Sequence, residues 1–256
     1  TIIFGNPTTN GINVEAAGFA TINVDRVSAN SGNQIQIGNL DLSAATLTLT
    51  GGNSYSLKVA GTTTLGGSYS NINTSTGTTH FVELAGPIVG GATTSLNKFG
   101  GATTGYGTLR ISGTANNYTG GTNVQVGALQ ITGTTGTPLG GSGSNALVNV
   151  LPGAALRIAG NGSLGGVSAL TLNSQVNSLP ALVLDTDYNP GTGLNSILKY
   201  AGGFGAALQI AVPEFNSALN MANIGNGTLF LGGYGATEVQ YLAPTRGVGA
   251  GNTYRL

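Results

Sequence analysis

Apolar and polar residues alternate with a period of two along most of this chain. The alternation is visible at Gln34-Ile35-Gln36-Ile37, Leu40-Asp41-Leu42-Ser43, Ala45-Thr46-Leu47-Thr48-Leu49-Thr50 and Ser56-Leu57-Lys58-Val59. It returns at Leu109-Arg110-Ile111-Ser112, Leu129-Gln130-Ile131-Thr132 and Leu156-Arg157-Ile158-Ala159. A period of two places one set of side chains in a core and the other in solvent, so each run predicts a short half-buried strand. Glycine interrupts nearly every window of ten, and each glycine costs a helix about 1 kcal/mol. The best helical candidate is Pro213 to Ala222, where Pro213 and Glu214 suit a first turn; the pattern allows one short helix at most.

Several of these runs share the form Leu-x-[Ile/Leu/Val]-x-Gly, with the leucine at 47, 57, 109, 129 and 156. The spacings of 20 and 27 residues each match one coil of a solenoid. The spacing of 10 fits two strands of one coil. The spacing of 52 fits two coils and includes the loop-like stretch from Gly66 to Thr79. One coil cannot bury its own apolar face, and stacking on its neighbours does so. The prediction is therefore an all-β chain: a single elongated parallel β-helix (β-solenoid) over residues 1–256, with coils of irregular length. At 20–27 residues per coil it makes about ten coils and a rod on the order of 50 Å long. An antiparallel sandwich is the competing architecture, but Asn-Gly pairs between matched alternating strands, which would mark its hairpins, are scarce.

Composition sharpens this picture. Glycine occurs 45 times in 256 residues while 40% of the chain is hydrophobic, so the glycines mark turns between strands rather than disorder. Only 8 Lys+Arg and 8 Asp+Glu are present, with zero net charge, and the basic residues are scattered from Arg26 to Arg255. That scatter argues against a nucleic-acid partner, and so sparse a charge tolerates self-association. Cysteine is absent, which removes disulfides and thiol chemistry. No apolar run reaches the roughly 18 residues of a membrane helix, and residues 1–20 do not read as a signal peptide.

The segment Asn116-Asn117-Tyr118-Thr119-Gly120-Gly121-Thr122-Asn123-Val124-Gln125-Val126-Gly127-Ala128-Leu129-Gln130-Ile131 resembles the autotransporter-associated β-strand repeat of bacterial surface proteins. The preceding Leu96-Asn97-Lys98-Phe99-Gly100 and Gly107-Thr108-Leu109-Arg110-Ile111-Ser112-Gly113, and the following Val148 to Gly166, are similar to the stretches that flank that repeat. The resemblance covers residues 96–166. It implies a right-handed passenger-type β-helix in a large secreted or surface-anchored bacterial protein, planctomycete-like in style, of a family that includes adhesins and stalk-like scaffolds. Independently of the family, Tyr118 suits a corner cap over the apolar interior. Val124 and Val126, then Leu129 and Ile131, read as two inward sets with Gly127 at the bend.

Candidate chemistry is sparse. His80 stands alone beside Phe81-Val82-Glu83-Leu84, and a lone strand histidine is usually a surface or edge residue. Asp185 and Asp187 in Val183-Leu184-Asp185-Thr186-Asp187-Tyr188 fall on one face if the strand continues through them. They leave three readings open: hard oxygen ligands for calcium, an acid–base pair of a polysaccharide-cleaving β-helix, or a strand end before Asn189-Pro190-Gly191. The calcium-binding glycine-rich nonapeptide is absent, and no other cofactor is expected. The row Thr46-Leu47-Thr48-Leu49-Thr50 is one Thr-x-Thr ladder, too little for an ice-binding array. The ends are apolar, and Thr1, Ile2, Ile3, Phe4, Tyr254 and Leu256 read as an assembly surface, with the chain a segment of something longer or a subunit stacking end to end. The expectation is a non-enzymatic extracellular or cell-surface scaffold or filament subunit with an adhesive face towards glycans or cell surfaces; the alternative is a polysaccharide-binding or polysaccharide-cleaving β-helix.

Overall fold

A computed structural model describes residues 2–3, 12–14, 18–25, 31–74, 81–91, 93–101, 107–141, 146–201, 203–235, 238–253 and 255–256. The chain winds into a parallel β-solenoid of about 8 turns. A ten-stranded and an eight-stranded parallel sheet run along it, and a four-stranded parallel sheet forms a third side near the N-terminus. One complete coil passes through all three: Thr63–Gly66 in the four-stranded sheet, Tyr69–Thr74 in the eight-stranded and Phe81–Leu84 in the ten-stranded. The segment from Gly66 thus continues into a strand, Tyr69–Thr74, where a loop was expected. Ser70, Ile72 and Thr74 are its buried positions, because polar residues there bond inward: Ser70 Oγ donates to the Leu42 carbonyl at 2.5 Å.

The leucine repeat is the ladder of the ten-stranded sheet. Leu57 pairs with Val82, Val82 with Leu109, Leu109 with Leu129 and Leu129 with Leu156, one residue per coil. The row continues through Leu182, Leu208 and Leu231. The neighbouring inward row runs Val59, Leu84, Ile111, Ile131, Ile158, Leu184 and Ile210. Leu57 through Leu208 in the first row are fully buried. The spacing of 52 between Leu57 and Leu109 is indeed two coils, and the spacing of 10 between Leu47 and Leu57 is two faces of one coil. The glycine that ends the copy at Leu109 has a steric cause. A Cβ on Gly113 would stand 2.5 Å from the carbonyl oxygen of Gly86, the equivalent corner one coil away.

The third side changes along the rod. Strands Ile12–Val14, Leu40–Ser43, Thr63–Gly66 and Ile88–Gly90 form it first. From Asn116 onward it consists of turns, the bridge Ala115–Thr137, a 3-10 turn at Asn161–Leu164 and a seven-residue α-helix, Gly191–Ile197. The core on that side is lined first by Leu42, Leu65 and Ile88 and further along by Tyr118, Leu139, Leu164 and Leu194, all buried. The helix therefore lies at 191–197. Residues 213–222, where a helix was expected, instead form the two-residue strands Glu214–Phe215 and Leu219–Asn220 and the start of a 3-10 turn at Met221–Asn223. Their partners Gln240–Tyr241 and Arg246–Gly247 lie one coil on, so continuing the stack outweighs a weak local preference.

Residues 96–166 lie in the middle of the stack. Tyr118 is buried at the corner and shares a 2.7 Å hydrogen bond with Thr122. The inward pair on the following strand is Thr122 and Val124; Val126 points outward and is 49% exposed, correcting the expectation that it faces the core. The strand Thr122–Val124 ends before it, and Gly127 (φ +77°) then turns the chain so closely over the coil beneath that a Cβ would stand 2.3 Å from the Gly100 carbonyl oxygen.

Candidate functional site

Two lateral faces carry the polar chemistry. On the ten-stranded sheet, one outward row runs Gln36, Lys58, Glu83, Arg110, Gln130, Arg157. Its side chains bond along the rod axis. Arg110 Nε donates to Gln130 Oε1 at 2.9 Å, and Gln130 Nε2 donates to Asp185 Oδ2 at 2.6 Å. Asp185 Oδ1 also receives Arg157 Nε at 2.8 Å. Further along, Glu83 accepts from Gln34 (3.2 Å) and Ser112 (2.8 Å) and faces Lys58 at 3.9 Å. Arg110 stacks over Phe81 and Arg157 over Tyr234. Five charged side chains, with their amide and aromatic neighbours, thus form two axial groups, one centred on Glu83 and one on Asp185, each spanning more than one coil.

The predicted acidic pair is divided by this arrangement. The strand Ala181–Leu184 ends before Asp185, so the two carboxylates do not continue a strand face. Asp185 belongs to the ladder just described. Asp187 is exposed and accepts from the backbone N–H groups of Asn216 (2.9 Å) and Ser217 (2.8 Å), holding the next coil. Slight desolvation raises its pKa, but these donors outweigh it and hold the carboxyl below its ordinary range. Among the described residues, no group of three or more His, Asp or Glu gathers at one place. His80 lies outside the described residues.

The second face is the outside of the eight-stranded sheet. One outward row, in register, reads Phe19, Thr46, Asn71, Asn97, Asn123, Asn149, Thr171 and Lys199. The four asparagines are bonded head to tail. Asn71 Nδ2 donates to Thr46 Oγ1 (3.0 Å), Asn97 to Asn71 (2.9 Å), Asn123 to Asn97 (2.8 Å) and Asn149 to Asn123 (3.0 Å). Beside the end of this ladder lies an open cleft of about 520 Å³ lined by Asn123, Asn149, Leu151, Pro152, Asn173, Ser174 and Gln175. None of these side chains is charged. The sequence pattern alone did not single out these asparagines, and Asn71 falls in the stretch expected to be a loop; a spacing of 26 residues between Asn71, Asn97, Asn123 and Asn149 was the signal available for finding them.

Lys98 is the residue least expected from its chemistry. It occupies the inward row between Ile72 and Val124 and is fully buried. Its ammonium donates to the carbonyls of Phe99 (2.8 Å), Gly100 (2.5 Å) and Val126 (3.1 Å), tying the corner of one coil to the next. Burial pushes its pKa down to about 7. The same region holds Asn116, buried, whose Oδ1 accepts from Ile88 N (2.7 Å) and whose Nδ2 donates to the carbonyls of Pro138 (2.6 Å) and Gly113 (3.2 Å). Both belong to the 96–166 motif, and both serve the joints between coils.

Of the expected assembly residues, Ile2 and Ile3 form a strand paired to Ile35 and Gln36 at one edge of the ten-stranded sheet. Leu256 is 78% exposed. The Arg255 carbonyl beside it accepts from Leu231 N at 2.8 Å. Thr1, Phe4 and Tyr254 lie outside the described residues. No described helix is long and apolar enough to cross a membrane. Comparison with protein-family models, with curated proteins and with solved structures returns no match.

Proposed function

We propose that this chain is a structural β-solenoid segment of an extracellular or cell-surface protein, a scaffold or filament unit that stacks end to end and offers an adhesive lateral face. The observation that carries this reading is the axial group at Asp185 on the ten-stranded sheet. Asp185, Arg157, Gln130 and Arg110 are bonded along the rod rather than aimed into a cleft. An enzyme of acid–base type needs a free carboxylate opposite its substrate, whereas Asp185 is held by two donors and Asp187 by two others. The resemblance of residues 96–166 to surface-protein repeats supports the same reading, as do the zero net charge and the small number of charges.

Two measurements test it. Electron microscopy and solution scattering of the purified protein should give rods, with single units about 40–50 Å long at the strand spacing of a stacked sheet, and end-to-end association should lengthen them as concentration rises. Compact particles of constant size would remove the filament reading. Asp185→Asn should leave a polysaccharide-cleavage assay at background, as in the wild type, while lowering the melting temperature. Wild-type cleavage that is abolished in Asp185→Asn would instead establish the enzyme.

A further inference from the structure

The amide ladder has a direction, and its end opens on the cleft. Each asparagine gives its Nδ2–H to the oxygen of the residue one coil nearer the N-terminus, from Asn149 through Asn123 and Asn97 to Asn71 and Thr46. The oxygens of Asn71, Asn97 and Asn123 are thereby occupied. Asn149 Oδ1 is the oxygen at the end of the chain, and among the described residues no donor reaches it. Its register partner on the next coil is Thr171, where the asparagine series stops. Hydrogen bonds in series polarise one another, so this terminal oxygen is a stronger acceptor than an isolated amide's. It lines the cleft together with Asn123, Asn173, Ser174 and Gln175.

We propose that this cleft binds a neutral, hydroxyl-rich ligand: a short run of uncharged sugar units in a glycan. The inference rests on the adhesive part of the function proposed above and assigns that role to one place and one chemical class. A primary amide offers both donors and acceptors, and a sugar hydroxyl is at once donor and acceptor, so a group of amides matches a group of hydroxyls. Among the described residues, no cationic side chain lines the cleft to compensate a uronate, sulfate or phosphate, and no carboxylate lines it to hold a cation. Leu151 and Pro152 supply an apolar wall for the C–H face of a sugar ring. Phe204, 51% exposed, is tied to the cleft by its backbone N–H, which donates to Ser174 Oγ at 3.1 Å. The volume falls within the range of about 300–1,000 Å³ usual for small-molecule sites.

The test uses the full chain with cello-, xylo-, manno- and malto-oligosaccharides, and with oligogalacturonate as the charged comparison. Binding is followed by calorimetry and by the side-chain amide signals of a selectively labelled sample. At least one neutral series is expected to bind, at about millimolar affinity or better, shifting the amide signals of Asn149 and Gln175; oligogalacturonate is expected not to compete. Asn149→Leu should weaken binding about tenfold or more. Gln175→Ala, on an exposed turn where folding is unaffected, should weaken it less but measurably. The absence of binding by every neutral series, or binding unchanged in both variants, overturns the proposal. A face that instead buries a second copy of the chain, seen as a concentration-dependent shift of the same amide signals without sugar, also overturns it. Each of these results leaves the rod measured by scattering intact, so the glycan site and the scaffold reading fail separately.

Discussion

Lys98 occupies a position that the alternation assigns to the core. In Ser95-Leu96-Asn97-Lys98-Phe99 the inward phase is Leu96 and Lys98, and the chain keeps that phase although a cation falls on it. The side chain survives there because its three N–H donors meet three carbonyls at a corner where the backbone turns. With its pKa pushed down from 10.5 to about 7, the folded chain releases a proton that the unfolded chain keeps between those two values. Stability therefore rises with pH across that window, and the full burden of the buried charge is present only well below pH 7. Denaturant midpoints should climb between pH 7 and about pH 9, below the range where tyrosines ionise in the unfolded chain. In Lys98→Met, which keeps the stem and deletes the ammonium, that climb should disappear. An identical pH profile in the variant would show that Lys98 titrates as it does in water.

At the scale of the strand, each element is too short to stand alone and is stable only as a rung. Ala155–Ile158 has four residues and pairs with Ala128–Ile131 on one side and Ala181–Leu184 on the other, so its Leu156 is sealed between two other leucines. Leu156→Ala leaves a cavity in a row that cannot collapse without breaking two ladders, and should cost about 2–5 kcal/mol. Val126→Ala, on an outward-facing residue of similar apolar character, should stay within about 0.5 kcal/mol. Chemical denaturation of the two variants reads the difference directly, and equal losses would contradict the assignment of faces. Val126 is also where alternation misled: Gln125-Val126-Gly127 follows the end of a strand, and period-two reasoning extends it one step too far.

For the whole molecule, the backbone ladders join each coil only to the coils next to it, as in other stacked repeats, and only side chains such as Gln34 and Gln130 reach one coil further. The rod should accordingly open from its ends. Hydrogen exchange is expected to be slowest at Thr108–Ile111, Ala128–Ile131 and Ala155–Ile158 in the middle of the ten-stranded sheet, and faster toward Phe230–Gly233. Uniform protection from one end to the other would mean that the coils unfold as one unit. The axial groups at Glu83 and Asp185 and the asparagine ladder from Asn71 to Asn149 cross several coils, and with Lys98, Asn116 and Asp187 they link coils beyond the backbone ladders.

The period of two, the glycine at each corner and the recurrence of Leu-x-Ile-x-Gly determine by themselves that this chain is a stack of short strands. They report local geometry, and local geometry repeats in every coil. The spacings of 20 and 27 residues already carried the register between Leu109, Leu129 and Leu156. What tertiary structure alone decided is what lies beside what across the coils. Asp185 is 55 residues from Gln130 and 28 from Arg157, and only stacking brings the three together. The same stacking separates Asp185 from Asp187, two residues apart in sequence but bonded to different coils. The cleft at Asn149 is likewise a property of the stack: the asparagines are ordinary strand residues until the register sets their amides in line, and where that line ends depends on the residue one coil further on.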